Sequence, residues 1–195
     1  MLKKQIDPND VRSIARPTGK INEGNRFDFG EGLEMILAVQ MLSDRIWIKT
    51  SVRELLYSSQ GVLTGSTKDI SKIIVADDDD EILATVAEMI TEVSPFYLPF
   101  YANNGADAEE LIGKCGADLI ITDDNMPKKE GIAIIEDLRK SSNVPVIFHS
   151  ANLDAILQLK NRGFSNIWFL SKPADYDEFI ETIISALSKG HEAVG

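Results

Sequence analysis

The sequence predicts an α/β protein. Its main body is a doubly wound, five-stranded parallel sheet, and a small, partly helical N-terminal extension precedes it. Three observations carry this expectation. From residue 72 onward, short apolar runs alternate with amphipathic stretches, five times in succession. Strands separated by helices pair in parallel through right-handed crossovers. The runs are also continuously apolar, as strands covered on both faces are. The expected division is an extension over 1–70 and the α/β domain over 71–190.

Each element has a local cause. "KIIVA" (72–76) is short, β-branched and flanked by charge, so it reads as a buried strand. Residues 80–93 place Ile82, Leu83, Val86, Met89 and Ile90 at a helical period. "FYLPFYA" (96–102) is strand-like, and Pro99, which cannot donate to a ladder, puts it at a sheet edge. "GADAEELIGKC" (105–115) is a helix, "DLIIT" (118–122) a buried strand, and "GIAIIEDLRKS" (131–141) a helix. "VPVIFHS" (144–150) is a strand, and "LDAILQLKNRG" (153–163) a helix that ends at Gly163. "NIWFLS" (166–171) is the last strand and "DYDEFIETIISALSK" (175–189) the last helix.

Composition narrows the function classes. The 195 residues are 44% hydrophobic and 26% charged, as in an ordinary soluble domain. No apolar stretch is long enough for a transmembrane helix, and "MLKKQIDPND" lacks the apolar middle of a signal peptide. The single cysteine, Cys115, forbids an intrachain disulfide, so a reducing cytoplasm is the expected location. The net charge of −11 is unevenly placed. Residues 1–70 carry 10 basic and 9 acidic side chains, whereas 71–195 carry 10 and 22. That acidity argues against nucleic-acid contact by the second part.

In doubly wound sheets, sites lie outside the carboxyl ends of the strands. Those ends carry Asp77 and Asp78, then Asp123, Ser150 and Lys172-Pro173. Clustered carboxylates repel unless a hard cation sits among them, and Mg²⁺ suits such a shallow oxygen site. One carboxylate could then attack a phosphoryl group and form an aspartyl phosphate. A metal and a lysine would neutralise the transferring oxygens. Asp79 and Asp80 read differently, as loop and first helical turn, where carboxylates meet free N–H groups. Asp124 reads as loop or edge rather than as a metal ligand. His149 reads as a packed or hydrogen-bonded histidine and Cys115 as inert.

"IIVADDDDEIL", "DLIITDDNMPKKEG", "VPVIFHSA" and "LSKP" resemble the successive signatures of the receiver domain of two-component response regulators. The resemblance covers about 72–190. It implies the flavodoxin-like strand order 2-1-3-4-5. It implies that Asp123 is the phosphoacceptor, and that Asp77, Asp78, Asp123 and the backbone carbonyl of Asn125 hold Mg²⁺. Ser150 and Lys172 match the phosphoryl-binding positions, and Phe169 the switch aromatic, with Trp168 the alternative. The resemblance also implies a cis peptide at Lys172-Pro173. Asn125 and Asn152 match positions that tune dephosphorylation. Such a protein is not an enzyme beyond its own phosphorylation and autodephosphorylation. Its expected donor is a histidine kinase or histidine phosphotransfer protein, and its output goes to an unknown downstream protein. A Mg²⁺-dependent phosphohydrolase with an aspartyl nucleophile is the rival. Those enzymes place a second acid two residues on, where this chain has Asn125.

Residues 1–70 resemble no family. "NDVRSIARP" reads as a short helix and 18–32 as loop. "LEMILAVQMLS" has Leu33, Ile36, Leu37, Gln40 and Met41 at helical spacing. "RIWIKT" reads as a strand, "SVRELLYSS" as a helix and "GVLTGSTKDIS" as a linker. The only histidines are His149 and His191, so this segment is not a phosphohistidine module. An interaction or homodimerisation segment is the expectation, with DNA binding through 1–70 as the alternative. Because the chain ends at Gly195, output is expected from the receiver surface or from residues 1–70.

Overall fold

The computed structural model describes residues 26–28, 33–41, 45–50, 54–58, 63–66, 70–94 and 96–192. The chain divides into two compact units, Met1–Ile70 and Ser71–Gly195. The expected helix over 9–17 lies outside the described residues.

In the first unit, the described residues form a five-stranded antiparallel meander. It contains β1 (Arg26–Asp28), β2 (Leu33–Met41), β3 (Arg45–Thr50), β4 (Glu54–Ser58) and β5 (Leu63–Ser66), paired in sequence order. Among the described residues this corrects two of the expected helices, those over 33–43 and 51–59. The stretch 33–43 was expected to be helical, but Leu33–Met41 is a strand. Its apolar residues fit both periods, because Leu33, Met35, Leu37, Val39 and Met41 also alternate with Glu34 and Gln40. The neighbouring strand decides between them. β3 pairs along β2 from Met41↔Ile46 to Ile36↔Thr50, and supplies the hydrogen bonds that a helix would find internally. Glu54–Ser58, inside the second expected helix, is likewise a strand, with Glu54 opposite Lys49. The expected linker contains β5. Trp47 and Ile48 are adjacent in β3, so they point to opposite faces, yet both are fully buried.

The second unit is the doubly wound sheet. Its strands are β6 (Ser71–Ala76), β7 (Tyr97–Ala102), β8 (Leu119–Thr122), β9 (Val146–Ser150) and β10 (Ile167–Ser171). Their spatial order is β7-β6-β8-β9-β10, all parallel, which is the expected 2-1-3-4-5. Strand β7 stands at an edge, with Pro99 opposite Ile73. The helices are α1 (Asp80–Val93), α2 (Gly105–Cys115), α3 (Gly131–Leu138), α4 (Leu153–Asn161) and α5 (Tyr176–Glu192).

Alternation along the strands makes two cores. Ile73, Val75, Ile121, Ile147 and Leu170 meet Leu83, Val86 and Ile90 of α1 and Phe179 and Ile183 of α5. On the opposite face, Ala76 and Ala102 pack with Ala108 of α2 and Ile134 of α3. Each fully buried valine, leucine or isoleucine side chain contributes roughly 1.5–3 kcal/mol. Helix starts are set by local side chains. Asp79 caps α1, accepting from the N–H groups of Glu81 and Ile82. Asn104 caps α2 and Asn152 caps α4.

Candidate functional site

The carboxyl ends of β6, β8, β9 and β10 bring the predicted residues together. Sheet-like backbone bonds continue one residue past the strands. Asp77 N–H donates to Ala102 O at 3.1 Å, Asp123 N–H to Ala76 O at 2.9 Å, and Lys172 N–H to Ser150 O at 3.1 Å. The site backbone is therefore held by the same ladder as the sheet. The Lys172-Pro173 peptide is cis.

Asp77 and Asp123 are buried, whereas Asp78 is exposed. One carboxylate oxygen from each of the three lies within 4.8 Å of the others. Lys172 reaches across the sheet edge. Its Nζ lies 2.6 Å from Asp77 Oδ2 and 3.3 Å from Asp123 Oδ1. Burial pushes the Asp77 carboxyl above the ordinary range, and the negative charge of Asp123 adds to that. The Lys172 ammonium and the Asp79 N–H act in the opposite direction. The donors are all hard oxygens, and three carboxylates face one ammonium. The local excess of two negative charges suits a divalent cation with oxygen preference. Asn125 is exposed beside them.

Gly131 explains how close α3 comes. A Cβ at that position would lie 1.9 Å from Asp123 O, so only glycine lets the helix start against the Asp123 backbone. Thr122 Oγ1 donates to the same carbonyl at 2.9 Å.

Ser150 is fully buried, and its Oγ accepts from Asn152 N–H at 3.1 Å. The Asn152 side chain is committed elsewhere. Its Oδ1 accepts from the Asp154 and Ala155 N–H groups, and its Nδ2 donates to Asp124 Oδ2 at 3.4 Å. Asp124 lies in the loop, as expected, but is buried. Sequence reasoning missed that depth, because a second aspartate after a strand looks alike whether it points out or in.

Phe169 and Trp168 occupy opposite faces of β10. Phe169 meets Phe148 edge-on at 6.4 Å, and Lys160 Nζ of α4 sits 5.0 Å from its ring centroid. Trp168 packs instead against the core shared by α1 and α5. His149 is buried edge-on against Phe179 at 5.2 Å, and its Nε2 has no hydrogen-bond partner among the described residues. Burial, helped by the Lys172 charge, holds its pKa down at about 4. His149 also lines a groove of about 370 Å³ between α1 and the start of α5, which opens beside Lys172.

The receiver-like unit has counterparts among known proteins. The family model described as the response regulator receiver domain matches residues 73–184. Transcriptional regulatory protein CpxR of Escherichia coli is 32% identical over 125 residues, which are 63% of this chain and 51% of that protein. The uncharacterized transcriptional regulatory protein YrkP of Bacillus subtilis is 29% identical over 118 residues, 60% of this chain and 50% of that one. The chain thus spans about half the length of the curated relatives it matches. The receiver domain of the Francisella response regulator 1452 superposes with a TM-score of 0.54 at 30% identity, covering 61% of this chain and 98% of that one. The family model covers more than half of the chain, and the chain belongs to the response regulator receiver domain family of two-component signalling.

Proposed function

We propose that Asp123 accepts a phosphoryl group from a histidine kinase or histidine phosphotransfer protein, and that the charge change signals to a downstream protein. The observation that carries this reading is the buried pair Asp77 and Asp123 sharing Lys172, with Asp78 completing a three-carboxylate cluster. In the transfer, an Asp123 carboxylate oxygen forms a bond to phosphorus. The bond from phosphorus to the donor imidazole nitrogen breaks, and its electron pair stays on that nitrogen. Asp77, Asp78, Asp123 and the Asn125 carbonyl would hold Mg²⁺. Bound there, the ion supplies positive charge to the phosphoryl oxygens. Lys172, with its Nζ 3.3 Å from Asp123 Oδ1, would supply a second positive charge.

Ser150 then donates its hydroxyl to a phosphoryl oxygen, and Phe169, on the α4 side of β10, moves into the vacated space. Both states of this switch exist beforehand, and the phosphoryl group shifts their populations. The protein is no enzyme beyond these steps, and a cytoplasmic location accords with a kinase donor. Among the described residues, no helix is long and apolar enough to cross a membrane.

Labelling tests the reading. Purified protein with Mg²⁺ and radiolabelled acetyl phosphate is expected to take up label, and Asp123→Asn is expected to take up none. Equal labelling of both would overturn the assignment. Steady hydrolysis of phosphate esters by the wild type would point to the phosphohydrolase instead.

A further inference from the structure

Asp124 stands one residue past the proposed phosphoacceptor, and the transfer chemistry gives it no task. It is nonetheless only 8% exposed. Burial pushes its pKa up, and the charges of Glu130 and Asp123 add to that. The Ile132 backbone N–H at the start of α3 and the Asn152 amide favour its charged form. Its Oδ1 has no hydrogen-bond partner among the described residues, and its Oδ2 accepts from Asn152 Nδ2 at 3.4 Å. A buried acceptor left without a partner is costly, so this carboxylate needs a reason to be there.

Asn152 supplies one. Its Oδ1 closes the first turn of α4, and its backbone N–H donates to Ser150 Oγ. The Asp124 carboxylate is thereby tied through one residue to both the helix start, by the Asn152 side chain, and the Ser150 hydroxyl, by the Asn152 backbone. The tie to Asp124 is the longest contact in this chain and hence its weakest joint.

We infer that Asp124 is a positioning residue whose carboxylate holds Asn152, the first turn of α4 and Ser150 in the unphosphorylated arrangement, and releases them when Asp123 is phosphorylated. This rests on the phosphoacceptor reading above. A phosphoryl group raises the local charge to about −1.5 to −2. An adjacent buried carboxylate feels that increase with little screening. Ser150 is drawn toward the new acceptor at the same moment, which loads the Ser150–Asn152 bond. The contact between Asp124 and Asn152 is the one that gives way, and α4 is freed at its N-terminus.

Amide hydrogen exchange on the full chain, resolved at Asp154 and Ala155, tests this with and without beryllofluoride and Mg²⁺. Bound beryllofluoride stands in for the phosphoryl group and is monitored independently by its fluorine signal. In the wild type the two amides are expected to exchange several-fold faster once it binds. In Asp124→Leu they are expected to exchange fast from the start and to respond little. Asp124→Asn keeps an acceptor without the charge, so it should keep resting protection and lose part of the response. A wild type that binds no beryllofluoride overturns the phosphoacceptor reading, and this inference with it. Bound beryllofluoride with wild-type protection and response in Asp124→Leu overturns the inference alone. So does exchange raised uniformly over α3 and α4, which would mark general loosening. Should Asp124→Leu fail to fold, an unchanged response in Asp124→Asn is the overturning result.

Discussion

Two loops leave neighbouring strands of the sheet, and each begins with two aspartates. After β6 come Asp77 and Asp78, and after β8 come Asp123 and Asp124. The first residue of each pair is buried against Lys172. The second residues diverge. Asp78 is exposed and joins the three-carboxylate cluster, whereas Asp124 is buried, outside that cluster, against Asn152. Identical chemistry at matching positions thus joins a carboxylate cluster on one strand and meets a helix-capping asparagine on the next. The two connections also differ in length. Asp79 turns the β6 chain into α1 at once, whereas the β8 chain runs through a longer loop before Gly131 brings α3 back against Asp123.

The largest effect should come from the shared lysine. Lys172→Ala leaves two buried carboxylates facing each other, and removing one partner of such a group costs about 3–5 kcal/mol. Urea unfolding should show that loss without metal, and added Mg²⁺ should restore much of it. Insensitivity to Mg²⁺ would break the view that both cations serve the same carboxylates.

His149, which lines the same groove as Lys172, sharpens the picture through its own titration. Its pKa falls from 6.5 to about 4 on folding, so the folded state keeps it neutral. The unfolded chain binds the proton first as pH drops. The contribution of His149 is therefore fully present above pH 6.5 and lost as pH falls toward about 4, on the order of 3 kcal/mol. Unfolding of His149→Phe measured over that range should lack this loss, and an identical pH profile would contradict it.

Gly131→Ala tests the close approach. The added Cβ cannot fit 1.9 Å from Asp123 O, so the α3 start must shift. A loss of about 1–3 kcal/mol is expected from overpacking of this kind. Unchanged stability would mean that α3 can move freely relative to Asp123.

The smallest effects separate the two halves of the aspartate run. Asp79→Ala removes the α1 cap and should cost about 1 kcal/mol. Asp78→Ala should leave stability within about 0.5 kcal/mol, as surface changes usually do, yet weaken Mg²⁺ binding measured by calorimetry. A reversed outcome would exchange the roles assigned to these two neighbours.

The parallel unit was legible because its strands are continuously apolar and its charged residues fall at strand ends. Asp77, Asp78, Asp123, Ser150 and Lys172 needed only the topology to meet. The meander was not legible, since Leu33–Met41 carries both a helical and an alternating pattern, and only pairing with β3 separates them. Phe169 and Trp168 could not be told apart for a similar reason. Neighbours in a strand take opposite faces, and the sequence does not say which face meets α4. The partner of the buried Asp124 carboxylate, Asn152, is 28 residues away, and no local pattern reports that contact.

The most direct measurement is site mapping of the phosphorylated residue. Protein treated with acetyl phosphate and Mg²⁺, then reduced with borohydride, converts a phosphorylated aspartate to homoserine, which peptide mass spectrometry locates. The account predicts homoserine at residue 123 alone. Homoserine at 78 or 124, or at no aspartate, would contradict it.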